Sequence, residues 1–160
     1  MTFDASELFR ALARHEVAYV TIGGMAIQVY GGQRLTQDLD VTIASSSENY
    51  ARLAKALVDL DARILGPQGQ RSRSVPSAGM LASGDQWHLI TTHGPLDLVT
   101  LPAHLGSFAA MRERAHEIPL GDVIVPVAHR DDLITLKRAA GRPQDLADIE
   151  LLESLDDGRD

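Results

Sequence analysis

The sequence predicts an α+β fold, a mixed β-sheet of about five strands with helices packed mainly on one face. Three observations carry this expectation. A β-branched run, Val17 to Ile22, stops at Gly23-Gly24 and passes into a helical pattern; Asp38 to Ile43 alternates with period two; and two pairs of short strand-like runs lie among amphipathic helices further along.

In chain order, residues 5 to 15 read as a helix, because Leu8 and Leu12 recur at four-residue spacing and Asp4 can accept from the first free amides. Val17 to Ile22 is a strand. The Gly23-Gly24 pair turns it into a helix carrying Met25, Ile27, Val29 and Tyr30, closed by Gly31-Gly32. In Asp38-Leu39-Asp40-Val41-Thr42-Ile43 the period of two puts Asp38, Asp40 and Thr42 on one face and the apolar residues on the other. Ser45 and Glu48 have the form of a capping box before a helix marked by Tyr50, Leu53, Leu57 and Leu60.

Residues 66 to 84 hold four glycines and two prolines with little periodicity and read as a long loop. Trp87 to Thr91 and Leu96 to Thr100 form a hairpin around Thr92-His93-Gly94-Pro95, and a helix follows from Leu105 to Ala115. Ile118 to Leu120 and Val123 to Val127 form a second hairpin about Gly121-Asp122, with Pro119 and Pro126 implying edge positions. Asp131 or Asp132 caps a helix that ends at Gly141; Pro143 opens the last helix, whose buried stripe is expected at Leu146, Ile149 and Leu152. One domain over residues 1–155 is expected, with a flexible tail over 156–160.

Composition narrows the chemistry. With 160 residues, 44% of them hydrophobic, the chain can bury one core. It has no cysteine, so disulfides, thiolate catalysis and cysteine-ligated zinc are excluded. The formal charge of -7 gives no general attraction to nucleic acid or to an anionic membrane. A local basic group, such as Arg130, Lys137, Arg138 and Arg142, would be needed for that. The first residues are acidic and no run is long and apolar enough to span a bilayer, which predicts a cytoplasmic protein with no membrane partner.

Asp38 and Asp40 share a strand face, and Asp97 arrives on another strand. Two-metal phosphoryl chemistry needs such a set, because Mg²⁺ takes hard oxygen ligands and bridges carboxylates to phosphates. Clustered carboxylates without a cation repel one another. An Asp-x-Asp pair by itself is also the ordinary pattern of a solvated strand edge. Gly23-Gly24, where a strand becomes a helix, offers bare amides to a phosphate, or is a plain tight turn. Arg34 and Thr36 are placed to donate to phosphate oxygens, with a surface ion pair to Glu48 or Asp61 as the other reading of Arg34. Lys137 sits on a helix with Leu133, Ile134 and Leu136, so an inward ammonium needs Asp145, Asp148 or a phosphate as partner; snorkelling to solvent is the alternative. His88 and His93 flank the hairpin that bears Asp97, but no two histidines have zinc spacing, and structural or surface roles are expected for all six. Trp87 is expected in the core.

Taken together, Ile22-Gly23-Gly24, a spacer, then Asp38-Leu39-Asp40-Val41 resembles the signature of the DNA polymerase β-type nucleotidyltransferase superfamily. Pro95-Leu96-Asp97-Leu98-Val99 resembles its third-carboxylate strand, and the run from Lys137 to Ile149 resembles the C-terminal motif of small AbiEii-like, toxin-antitoxin-associated members. The resemblance implies the nucleotidyltransferase fold and a Mg²⁺-dependent transfer of a nucleoside monophosphate from a nucleoside triphosphate to an acceptor on RNA, a protein or a small molecule. It implies Asp38, Asp40 and Asp97 as metal ligands, Asp97 also as base, Gly23 and Gly24 against the triphosphate, and Lys137 and Asp145 completing the site. Many relatives carry Gly-Ser where this chain has Gly23-Gly24, which removes a hydroxyl ligand for phosphate. An antitoxin partner goes with the toxin reading, and edge strands would support a homo-oligomer. The competing class is a non-catalytic or partner-dependent regulatory protein that binds nucleotide on the same fold.

Overall fold

The computed structural model describes residues 2–155, so the tail expected over 156–160 lies outside the described residues. Helix α1 (Ala5–Arg14) is N-capped by Asp4, which accepts from the Glu7 amide, and it buries Leu8, Phe9, Ala11 and Leu12. Strand β1 (Tyr19–Ile22) runs directly into α2 (Gly23–Val29), so the two glycines form the first turn of that helix. Strand β2 (Leu39–Ile43) buries Leu39, Val41 and Ile43 as its alternation predicts, and Asp38 is the residue just before it.

Helix α3 (Ser47–Asp59) starts one residue later than the expected capping box. Ser46, not Ser45, accepts from the Asn49 amide, and Glu48 lies 3.9 Å from Arg52 instead of reaching back to the cap. Asn49 is buried yet satisfied: its amide oxygen accepts from Ala18 N, and its nitrogen donates to Ala18 O and Ala44 O, tying α3 to the ends of β1 and β2. The expected long loop is more ordered than its composition suggests. Strand β3 (Arg63–Ile64) precedes it, and helix α4 (Ala78–Ala82), capped by Ser77, anchors it through fully buried Leu81.

Strands β4 (Gln86–Thr91) and β5 (Gly94–Val99) form the expected hairpin, with a tighter turn. Thr91 pairs with Gly94, leaving only Thr92-His93 between the strands, and Gly94 takes φ +110. A 3-10 turn at Ala103–Leu105 and Gly106 separate the hairpin from α5 (Phe108–Arg114), which Ser107 caps, so this helix begins after Leu105. Strands β6 (His116–Leu120) and β7 (Val123–Val127) form the second hairpin. Helix α6 (Arg130–Ala140) is capped by the His129 side chain; Asp132 binds Arg114, and Gly141 ends the helix in the left-handed region. Helix α7 (Pro143–Glu153) closes the described chain.

Among the described residues the strands make one seven-stranded mixed sheet, in the order β3-β4-β5-β2-β1-β7-β6, where about five were expected. Two-residue β3 has no alternation to announce it, and the second hairpin joins the same sheet through a single parallel pair, Thr21 with Val127. Pro119 lies on edge strand β6, as expected. Pro126 does not: β7 is second from the edge, between β6 and β1, with Pro126 opposite Glu117 of β6 and next to Val127, which pairs with Thr21 of β1.

Register decides what the two sheet faces carry. Leu39 lies opposite Leu96 and Val41 opposite Leu98, and this face is buried in the core with Leu8, Leu12, Leu53 and Leu57 from α1 and α3. The other face carries Ile22 opposite Asp40, Asp40 opposite Asp97, and Asp97 opposite His88. No helix among the described residues is long and apolar enough to cross a membrane.

Candidate active site

The central position of β2 brings the three aspartates together. It is antiparallel to β1 and parallel to β5, so Asp40 stands between the end of β1 and Asp97, with Asp38 one step outside the strand. Asp38, Asp40 and Asp97 each offer a carboxylate oxygen within 4.8 Å of the others. Burial, then the charges of Asp38 and Asp97, push Asp40 up to about 7, against an opposing pull from Lys137. Burial and Asp97 also raise Asp38. Three hard oxygen donors, of which Asp38 and Asp40 resist ionising by themselves, fit a small divalent cation such as Mg²⁺, whose charge would remove the repulsion.

Gly23 reaches this cluster through its conformation. It takes φ +69, and a Cβ there would sit 2.1 Å from Asp40 Oδ2. A Cβ on Gly24 would meet Thr36 Oγ1 at 2.5 Å, so the Thr36 hydroxyl occupies the space that a side chain at position 24 would need. Gln28 donates to that hydroxyl at 3.3 Å and to Arg34 O at 3.0 Å, fixing the segment between α2 and β2. Ile22 caps α2 without a side-chain hydrogen bond.

On the opposite wall, α6 and α7 contribute a cationic network. Lys137 Nζ lies 3.2 Å from Asp145 and 3.0 Å from Asp148, so its ammonium is buried and paired, as an inward lysine requires. Arg34 pairs with Asp148 at 2.9 Å, not with Glu48 or Asp61. Arg142 donates through Nε at 2.9 Å and Nη2 at 3.2 Å to Asp145, which also accepts from the Arg142 amide. Burial alone would raise Asp145, but the Arg142 and Lys137 contacts outweigh it and hold the carboxyl down at about 2. Asp148 is likewise lowered, burial being overcome by Arg34 and Lys137.

This network explains an error of the sequence reading. Leu146, expected in the buried stripe of α7, is 62% exposed; the buried face instead carries Asp145, Asp148, Ile149 and Leu152. The spacing 145, 148, 149, 152 is itself helical, and that pattern was readable had the acids been counted as interior.

A cavity of about 390 Å³ lies between the two walls, lined by Gly23, Asp38, Asp40, Asp97, Lys137 and Arg142 on its polar side. Gln86, His88, Val99, Pro102 and Leu105 continue it towards β4 and β5, with Leu133, Leu136 and Ala140 beside Lys137. Gly24, Thr36, Arg34 and Asp145 do not line it; Asp145 is fully buried and Arg34 is exposed beside Asp148. Two further residues belong to the site. His88 Nδ1 lies 2.9 Å from Asp97, a cross-strand pair that follows from the two-residue turn, and Arg142 stands out only through its cap position before Pro143. Trp87 is half-buried against the core and donates to Leu81 O.

No family model and no curated protein matches the chain. Solved structures do match its shape. The structure of ANT(2")-Ia in complex with adenylyl-2"-tobramycin superposes with a TM-score of 0.61 over 97% of this chain and 89% of its own, at 15% identity. The lincosamide antibiotic adenylyltransferase LnuA, lincomycin-bound, gives 0.61 over 98% and 100%, at 16% identity. The Megavirus polyadenylate synthase gives 0.52 over 92% of this chain but 31% of its own, at 10% identity. At these identities the likeness is one of architecture: the chain has the nucleotidyltransferase fold.

Proposed function

We propose that this protein is a Mg²⁺-dependent nucleotidyltransferase that moves a nucleoside monophosphate from a nucleoside triphosphate to an acceptor hydroxyl. The observation that carries the reading is the gathering of Asp38, Asp40 and Asp97 around one point of an open cavity, beside Gly23 and facing Lys137. Bound Mg²⁺ would hold these carboxylates together and polarise the α-phosphate.

The chain's own residues do the rest. The amide of Gly23, on the cavity wall, receives phosphate oxygens, and Thr36, whose hydroxyl accepts from Gln28, is a positioning residue that fills the space beside Gly24 and holds the turn in place. Lys137 offsets negative charge near Asp40. The acceptor oxygen bonds to the α-phosphorus as the bridging bond to the β-phosphate breaks, and pyrophosphate leaves with the electron pair. The hydroxyl proton passes to Asp97, which His88 positions across the strand pair. Arg34 and Asp145 act as positioning residues: Arg34 holds the segment bearing Thr36 and Asp38 against Asp148, and Asp145 fixes Lys137 and Arg142.

Among acceptors on RNA, protein or small molecules, we favour a small hydroxylated molecule. The cavity wall formed by Gln86, His88, Val99, Pro102 and Leu105 carries no lysine or arginine, and the chain is net negative, which gives a polyanion no purchase there. The tobramycin and lincomycin of the two neighbouring structures are acceptors of that kind.

The test is to incubate the protein with Mg²⁺ and each nucleoside triphosphate labelled at the α- or γ-phosphate, offering total RNA, protein extract and hydroxylated small molecules separately. Transfer of α-label with release of γ-label as pyrophosphate, absent in Asp38→Ala/Asp40→Ala, is expected with the small molecules. No transfer to any acceptor, despite Mg²⁺-dependent nucleotide binding, would replace the enzyme by a nucleotide-binding regulator.

A further inference from the structure

Three cations, Lys137, Arg34 and Arg142, share only two carboxylates, Asp145 and Asp148, in the wall facing the aspartate cluster. One positive charge is therefore in excess. Lys137 is nearly fully buried and has spent two of its three donors on the two aspartates. Arg34 does not line the cavity. Arg142 does, with its side chain 59% exposed, and the charge of Asp40 reaches it across the space.

The guanidinium is also oriented before any ligand arrives. Its Nε and one Nη2 hydrogen are taken by Asp145, a carboxylate with no exposure of its own, and the residue's amide is tied to the same carboxylate. Three of five donors remain, in a planar fork whose direction is set. Such a fork matches two phosphate oxygens, whereas a lysine there would be a mobile point charge.

We infer that Arg142 is the residue that grips the β- and γ-phosphates of the triphosphate and holds the pyrophosphate as it leaves. The inference rests on the nucleotidyl-transfer reading above. Charge matching assigns the position. The α-phosphate would lie by the carboxylates, where Lys137 and a bound metal ion would offset its charge, and the more highly charged pyrophosphate end would be left for the cation in excess.

Calorimetric titration in Mg²⁺ tests this with three probes: an α,β-methylene triphosphate analogue, pyrophosphate and the nucleoside monophosphate. Arg142→Gln should weaken the analogue and pyrophosphate by about tenfold or more while the monophosphate changes by less than about twofold. Arg142→Lys, with charge but no fork, should fall between. Unchanged affinity for the analogue and pyrophosphate in Arg142→Gln would overturn the assignment. A parallel loss of all three probes together with a lowered Tm would overturn it too, leaving Arg142 only as the cap of α7. If the wild type binds none of the probes, the nucleotidyl-transfer reading fails and takes Arg142 with it; wild-type binding that is indifferent to Arg142 removes the residue alone.

Discussion

At Gly23 the backbone and the chemistry meet: left-handed φ and a Cβ path blocked by Asp40 allow no side chain. Gly23→Ala should cost about 2 to 4 kcal/mol of stability and displace Asp40, detected as a lowered urea midpoint together with lost Mg²⁺ affinity. The neighbouring position makes a different prediction. Gly24→Ser collides with the Thr36 hydroxyl, so it should weaken Mg²⁺·nucleotide binding by itself, and Thr36→Ala in the same chain should restore it by clearing the space. Equal affinity in Gly24→Ser and wild type would show that Thr36 yields freely. Asp40 supplies a pH signature. Its folded pKa is raised to about 7, so between about 4 and 7 the folded state keeps a proton that the unfolded state has released, and metal-free stability falls as pH rises through that window. Asp40→Asn should therefore raise the Tm of metal-free protein at pH 8, by the equivalent of about 1 to 2 kcal/mol, and the gain should vanish near pH 4.

The elements that matter most for the site are α6 and α7, joined by buried charge as much as by apolar contact. Asp145 shows the opposite linkage to Asp40. With a folded pKa of about 2, its contribution is complete above the ordinary carboxylate pKa and is lost as pH falls through about 2. Asp145→Asn should cost about 2 kcal/mol in urea unfolding at pH 7, and the difference from wild type should close as the pH approaches 2. The same elements show where sequence reading stops. Strand β2, the glycine turn and both hairpins were legible because each has a period or a turn residue that local physics dictates. The caps were misplaced: Ser46 stands beside Ser45, and a histidine does the work expected of Asp131 or Asp132. Strand β3 and helix α4 are too short to show a period. In α7 the apolar stripe misled because two aspartates take the interior positions, paired with cations distant in sequence. Of the candidate site, the aspartates and Gly23 were readable as a set; Arg142 and the His88–Asp97 pair needed the register and the cap in three dimensions.

Across the whole molecule, the site is assembled from distant parts of the chain by a sheet whose order is not its sequence order. Placing β2 between β1 and β5 puts residues 23, 40 and 97 side by side, and α6 and α7 close the cavity with the opposite charge. The chain is net negative, yet one wall of the site carries the three clustered aspartates and the other a net positive charge, because Lys137, Arg34 and Arg142 share only Asp145 and Asp148, an arrangement suited to a metal-bound polyphosphate lying between. All of this depends on the aspartate cluster holding a divalent cation. Titration with Mn²⁺, followed by loss of the free-ion signal in electron paramagnetic resonance, measures that directly. Binding by the wild type at pH 8, competed by Mg²⁺ and abolished in both Asp40→Asn and Asp97→Asn, is the predicted result; binding that survives in both variants, or none in the wild type even with nucleotide present, would contradict it.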